Sequence, residues 1–193
     1  MLAYVLTFSR LLLAAGFAAC AAAADGAPST AEALLLLALA GAAELSDLLD
    51  GPVARRAGSA GRLGGLLDPL CDSIARLTMY FSAALAGWLP LAVPLVMTGR
   101  DLVVAYVRTV RAHVGGKTAA RTSGKLKAVI QGAGIVAVVA LAWADPPWAP
   151  AARWAVAAAV LAATGWSLVD YVRGGWPSVV RLHRGDRRGE ASP

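Results

Sequence analysis

Apolar residues dominate the chain in six long runs, separated by short polar breaks, at about residues 1–24, 31–57, 66–90, 91–113, 125–143 and 151–172. A helix crosses a hydrocarbon core of about 30 Å with about 20 residues, so the pattern predicts six spanning helices. The first run is interrupted by Arg10 and ends near Phe17-Ala18-Ala19-Cys20, a near miss for a lipoprotein cleavage site. Its charge sits too far in for a leader peptide, and its length suits a span. The second run is short of charge until Glu44 and then meets Asp47 and Asp50. It is expected to leave the bilayer as a helix, with a kink at Pro52. The third run begins with Asp68 and Asp72, and the fourth contains Arg100 and Asp101. Trp88, Trp143, Trp148, Trp154 and Trp176 fall near run ends, as an aromatic belt would.

Composition agrees with the pattern. The chain is 58% hydrophobic with mean hydropathy +0.62, whereas soluble domains are about 45–50% apolar. The fold class read from this is all-α integral membrane, with six transmembrane helices and a polar active-site cavity at the cytoplasmic side. Residues 1–176 form one membrane domain. Residues 177–193 end a basic cytoplasmic tail, which begins near Arg173 and is read as surface-bound or disordered. The net charge of +6 comes with 15 Arg and three Lys. In a membrane protein, cytoplasmic loops facing anionic lipid explain that balance better than nucleic acid does. Cys20 and Cys71 lie in apolar runs and read as buried thiols.

The charges also orient the chain. Arg55, Arg56 and Arg62 follow the second run, and Arg111, Lys117, Arg121, Lys125 and Lys127 follow the fourth. The tail adds Arg173, Arg181, Arg184, Arg187 and Arg188, while the opposite loops carry Asp25, Asp145 and Arg153. The positive-inside rule puts both termini in the cytoplasm, with the carboxylates of the second and third runs on the same side.

Those carboxylates organise the chain. Asp47 and Asp50 are three apart, and Asp68 and Asp72 are four apart, so each pair shares a helix face. A break rich in Gly and Arg (Gly58, Gly61, Arg62, Gly64) separates the pairs. Two helices joined there would run antiparallel and bring the four carboxylates together. Such a cluster repels itself unless cations neutralise it, and hard divalent ions prefer oxygen ligands. Gly51, Ala54 and Gly64 provide a floor of small residues for close approach. Arg55 offers a planar fork to phosphate. Together these residues suggest a site for a nucleotide diphosphate. Glu44, three residues before Asp47, reads as an outer partner of that site or as the mate of an arginine.

The pattern Asp47-x-x-Asp50-Gly51-x-x-Ala54-Arg55, eight residues, Gly64, three residues, Asp68, three residues, Asp72 resembles the signature of the CDP-alcohol phosphotransferase family at every fixed position. A finer resemblance, to the phosphatidylglycerophosphate synthase branch of bacteria, rests on Leu6-Thr7-x-x-Arg10, Leu67-Asp68-Pro69, Arg100 with Arg108, Gly115, Gly124-Lys125-Leu126-Lys127 and Gln131. Eukaryotic-type cardiolipin synthases share several of these. Ser73 stands where these synthases usually carry Lys, Asp101 where they carry Glu, and Ala128 where they carry Thr. The Pro that usually follows the Arg10 motif is missing.

The resemblance implies transfer of a phosphatidyl group from CDP-diacylglycerol to a small phosphorylated alcohol, glycerol 3-phosphate, with release of CMP. It implies Asp72 as base, Asp47, Asp50, Asp68 and Asp72 as ligands of two Mg²⁺ or Mn²⁺ ions, and Gly51, Ala54, Arg55 and Gly64 around the CDP-lipid. It also implies a homodimer in a bacterial inner membrane. The acceptor's phosphate is expected at Arg108, Arg111 and Lys125. Arg100, Arg108 and Arg111 fall within roughly an 80° wedge of one helix face, and the deeper Arg100 reads as a packing residue paired with a carboxylate. Cardiolipin synthase or phosphatidylinositol phosphate synthase chemistry would keep the same donor site with another acceptor. A cation transporter using the carboxylates as an ion path is the rival from a different class, although no internal repeat is visible.

Overall fold

The computed structural model describes residues 2–24, 26–56, 64–113 and 122–189, with backbone alone at 2–7, 47–56, 64–68, 113, 178 and 181–189. These residues form six α-helices: α1 (Leu2–Ala23), α2 (Thr30–Arg56), α3 (Gly64–Leu85), α4 (Ala92–His113), α5 (Thr122–Ala144) and α6 (Ala149–Gly189). The six apolar runs thus correspond to six helices. Among the described residues two stretches are long and apolar enough to cross a membrane, Thr122–Ala144 in α5 and Ala149–Pro177 in α6, and Phe8–Ala23 is a shorter apolar helix.

Packing follows the inward stripe of each helix. On α1 the buried positions are Arg10, Ala14, Phe17 and Ala21, and on α2 Ala33, Leu36, Ala40 and Ala43. Steps of three and four keep such positions on one face. The alanines let backbones approach closely. α1 packs against both α2 and α3, which meet each other only briefly, so α1 sits between the two carboxylate-bearing helices. α6 packs against α4 and α5 in the same way. The two three-helix halves join mainly where α5 meets α2 and where α3 meets α4 and α5. Large apolar side chains such as Leu12, Leu85, Leu102, Trp154 and Trp166 point outward. An exposed apolar surface of this extent is what a lipid-facing bundle presents.

Helix ends are set locally. Ser29 and Glu32 form a capping box at the start of α2: the Glu32 amide donates to Ser29 Oγ at 3.3 Å, and the Ser29 amide donates to Glu32 Oε2 at 2.8 Å. Gly26 and Gly87, with φ of 86° and 77°, turn the chain after α1 and α3.

Three expectations change. Trp88 is not part of an interfacial belt. It is 2% exposed, and its indole N–H donates to the Gly26 carbonyl at 2.6 Å. Trp143, Trp148, Trp154 and Trp176 are exposed as expected. Of the two readings of the basic tail, surface-bound or disordered, the second does not hold as far as Gly189: α6 runs on to that residue with Pro177 inside it. A proline costs a helix one hydrogen bond, which the long flanking stretches outweigh. Cys20 and Cys71 are free thiols, as read from the sequence; Cys71 is buried as expected, whereas Cys20 is only half-buried.

Candidate active site

The second half of α2 carries Asp47, Asp50, Gly51, Ala54 and Arg55, and α3 begins at Gly64 and carries Asp68 and Asp72 in its first turns. Only residues 57–63 separate the two helices. The signature therefore lies at one end of the bundle, where α2 finishes and α3 starts. The side chains of Asp47, Asp50, Ala54, Arg55 and Asp68 lie outside the described residues, as do Gly58, Gly61, Arg62, Gly115, Lys117 and Arg121. Among the described residues no three His, Cys, Asp or Glu side chains gather as a metal cage. The donor set itself, four carboxylates, is the hard-oxygen chemistry that suits Mg²⁺ or Mn²⁺.

Asp72 is the signature carboxylate whose surroundings are described. Its side chain is 25% exposed and faces two arginines. Arg76, one turn further along α3, brings Nη2 to 3.2 Å from Oδ1 and donates from Nη1 to Oδ2 at 3.4 Å. Arg10 of α1 approaches Oδ1 at 3.7 Å. Arg76 also reaches α2, where its Nη2 lies 3.0 and 3.1 Å from the two oxygens of Glu44 and its Nε donates to Glu44 Oε1 at 3.3 Å. Three helices thus meet in one ionic chain, from Glu44 through Arg76 and Asp72 to Arg10. Both arginines are almost wholly buried. A buried guanidinium is tolerated only when paired and hydrogen-bonded, and the bidentate contact with Glu44 meets that condition. Glu44 is therefore an arginine's mate. Its carboxylate lies against Gly132 of α5, where an added Cβ would come within 2.5 Å of Oε2.

Arg76 was not singled out in the sequence. The signal was present, since Asp72 and Arg76 are four apart and hence on one face. An isolated arginine in an apolar run gives no hint of which partner it takes on another helix.

A second polar cluster joins α4, α5 and α6. Arg100 donates to Asp101 Oδ1 at 2.7 Å and to Ser167 Oγ at 2.5 Å. Lys127 donates to the same Asp101 oxygen at 3.0 Å. Arg100 and Arg108 both lie over the ring of Tyr171, at 5.1 and 5.2 Å from its centroid. Arg108 Nη2 also donates to the Tyr171 hydroxyl at 2.9 Å. Ser123 donates to Asp170. Arg111 follows Arg108 by three residues, and among the described residues the buried Nε atoms of Arg100, Arg108 and Arg111 have no hydrogen-bond partner. Arg100 pairs with a carboxylate and anchors helix packing, as expected. Lys125 is exposed on the first turns of α5, whereas Lys127 is the buried lysine.

Carboxylates at one end of a helical bundle, with a separate cluster of arginines around a tyrosine, define a helical protein equipped to handle phosphate esters. A family model described as CDP-alcohol phosphatidyltransferase matches residues 1–166, and the chain belongs to that family. It is 27% identical over 134 residues to the CDP-diacylglycerol–glycerol-3-phosphate 3-phosphatidyltransferases of Salmonella typhimurium (strain LT2) and Escherichia coli (strain K12). Each match covers 67% of this chain and 72% of the relative.

Proposed function

We propose that the protein transfers the phosphatidyl group of CDP-diacylglycerol to glycerol 3-phosphate and releases CMP. The similarity to relatives named for this reaction carries the reading, and the retained signature from Asp47 to Asp72 supports it. Asp72 takes the proton of the acceptor hydroxyl. The freed oxygen attacks the phosphorus that bears the diacylglycerol, and the bond to the CMP phosphate breaks. Arg10 and Arg76 hold the Asp72 carboxylate in one orientation. Two ions of Mg²⁺ or Mn²⁺, held by Asp47, Asp50, Asp68 and Asp72, would neutralise the pyrophosphate. Gly51, Ala54, Arg55 and Gly64 form the CDP-lipid site. Arg108, Arg111 and Lys125 receive the acceptor's phosphate, and the unpartnered Nε atoms of the first two support that role.

In this reading all six helices span a bacterial inner membrane. The outward apolar side chains and the positive-inside distribution of Arg and Lys support it. Residues 1–176 are the catalytic membrane domain, residues 177–193 are a cytoplasmic extension, and the protein works as a homodimer.

The test is CMP release by the purified protein in detergent with CDP-diacylglycerol and Mg²⁺ or Mn²⁺. Glycerol 3-phosphate, phosphatidylglycerol, inositol phosphate and serine are supplied one at a time. Release with glycerol 3-phosphate alone is expected. Release with another acceptor alone would keep the chemistry and reassign the substrate. No release with any would overturn the reading.

A further inference from the structure

Tyr171 lies beyond the stretch matched by the family model, which ends at residue 166. It is 1% exposed, yet its ring sits beside two guanidinium groups and its hydroxyl accepts from one of them. Two like charges beside one ring repel each other, so the arrangement needs a compensating anion nearby. Arg100 has one, since Nη1 binds Asp101 and Nη2 binds Ser167. Arg108 is held differently. Its Nη2 meets Tyr171, and its buried Nε has no partner. Arg111, three residues on, has the same unpartnered buried Nε. The Tyr171 ring cannot shift freely beneath Arg108. Its hydroxyl lies against the backbone of α5 at Gly124, where an added Cβ would be 3.0 Å away.

We infer that Tyr171 is a positioning residue for the acceptor's phosphate. It fixes the plane of the Arg108 guanidinium through one hydrogen bond and one ring contact, so that the remaining donors of Arg108 meet the anion already oriented. A guanidinium binds phosphate through a planar fork. A fork held in its binding orientation loses less rotational freedom when the ligand arrives. Tyr171 does not touch the phosphate. It acts through Arg108, and Gly124 keeps it in place. The inference rests on the acceptor site proposed above.

The experiment measures KM for glycerol 3-phosphate and for CDP-diacylglycerol separately in the purified full chain. The variants are Tyr171→Phe, Gly124→Ala, Arg108→Ala and the double variant Tyr171→Phe/Arg108→Ala. Tyr171→Phe keeps the ring and removes only the hydroxyl. It is expected to raise KM for glycerol 3-phosphate about five- to tenfold, with kcat and the CDP-diacylglycerol KM within about twofold of wild type. In the Arg108→Ala background the same change should have almost no further effect, because the residue it acts through is gone. Gly124→Ala presses on the Tyr171 hydroxyl and should shift the acceptor KM in the same direction without altering either partner.

An unchanged acceptor KM in both Tyr171→Phe and Gly124→Ala would overturn the inference. So would equal shifts for both substrates, or full additivity with Arg108→Ala, each of which marks a merely structural tyrosine. Wild-type protein that turns over only with an unphosphorylated acceptor would instead overturn the acceptor assignment, and the inference with it.

Discussion

Each half of the bundle buries arginines, and the two halves use them differently. In α1–α3, Arg10 and Arg76 lie against carboxylates, and Arg76 contacts both Glu44 and Asp72. In α4–α6, Arg100 and Lys127 share Asp101, Arg100 and Arg108 share the Tyr171 ring, and Arg100 also meets Ser167. The first arrangement holds an acidic side chain still. The second gathers cations around a single carboxylate and a tyrosine ring, the arrangement proposed above to receive the acceptor's phosphate. Arg10, Arg76 and Arg100 are buried while Arg108 and Arg111 are partly exposed, so the halves differ both in burial and in how many carboxylate oxygens the guanidinium groups meet.

That contrast can be broken experimentally, and the largest effect is expected at Asp72. Asp72→Asn should lower turnover by about 10²–10⁴-fold, the range of a lost general base. The variant should stay folded and still bind CDP-diacylglycerol, as tested by lipid binding in detergent. Full activity would remove the base assignment.

Arg76→Ala should be the most destabilising single change in the first half, by about 3–5 kcal/mol, because it leaves Glu44 and Asp72 without their shared cation. Thermal unfolding in detergent checks this. Loss of turnover at unchanged stability would show that Arg76 matters for chemistry and not for holding three helices together. Arg108→Ala, in the second half, should leave stability nearly intact and raise the acceptor KM about 10–100-fold, the worth of a hydrogen bond to a charged group. A matching rise in the KM for CDP-diacylglycerol would erase the distinction between the halves. The smallest effect is expected far from both clusters. Trp88→Phe loses the bond to Gly26 and leaves a small cavity in the core, about 1–3 kcal/mol together, and should leave both KM values unchanged.

The positions of the helices were readable because each apolar run is nearly continuous and each break is short. The end of α6 was not, because charge marks where a run stops being apolar and not where a helix stops. Leu182, Arg184, Arg187 and Arg188 are of helix-forming types. The pairing of Glu44 with an arginine was foreseen, but its mate was not, since Arg76 comes from another helix. Lys125 and Lys127 look equivalent in sequence. In α5 they point about 200° apart, and only Lys127 shares the inward stripe with Gln131, Ile135 and Val138. Trp88 looked like an interfacial tryptophan because it ends a run, while the left-handed turn at Gly87 precedes it. Tyr171 carries no motif at all. Its role depends on an arginine 63 positions earlier, a separation that periodicity does not encode.

The Trp88–Gly26 bond also bears on the order in which the chain is assembled. Both partners precede α4 in the chain, so the clasp between the α1–α2 turn and the end of α3 needs nothing that is made later. The contacts that hold Glu44, Asp72 and Arg76 together are likewise complete within α1–α3, and α5 fits against Glu44 because Gly132 presents no side chain there.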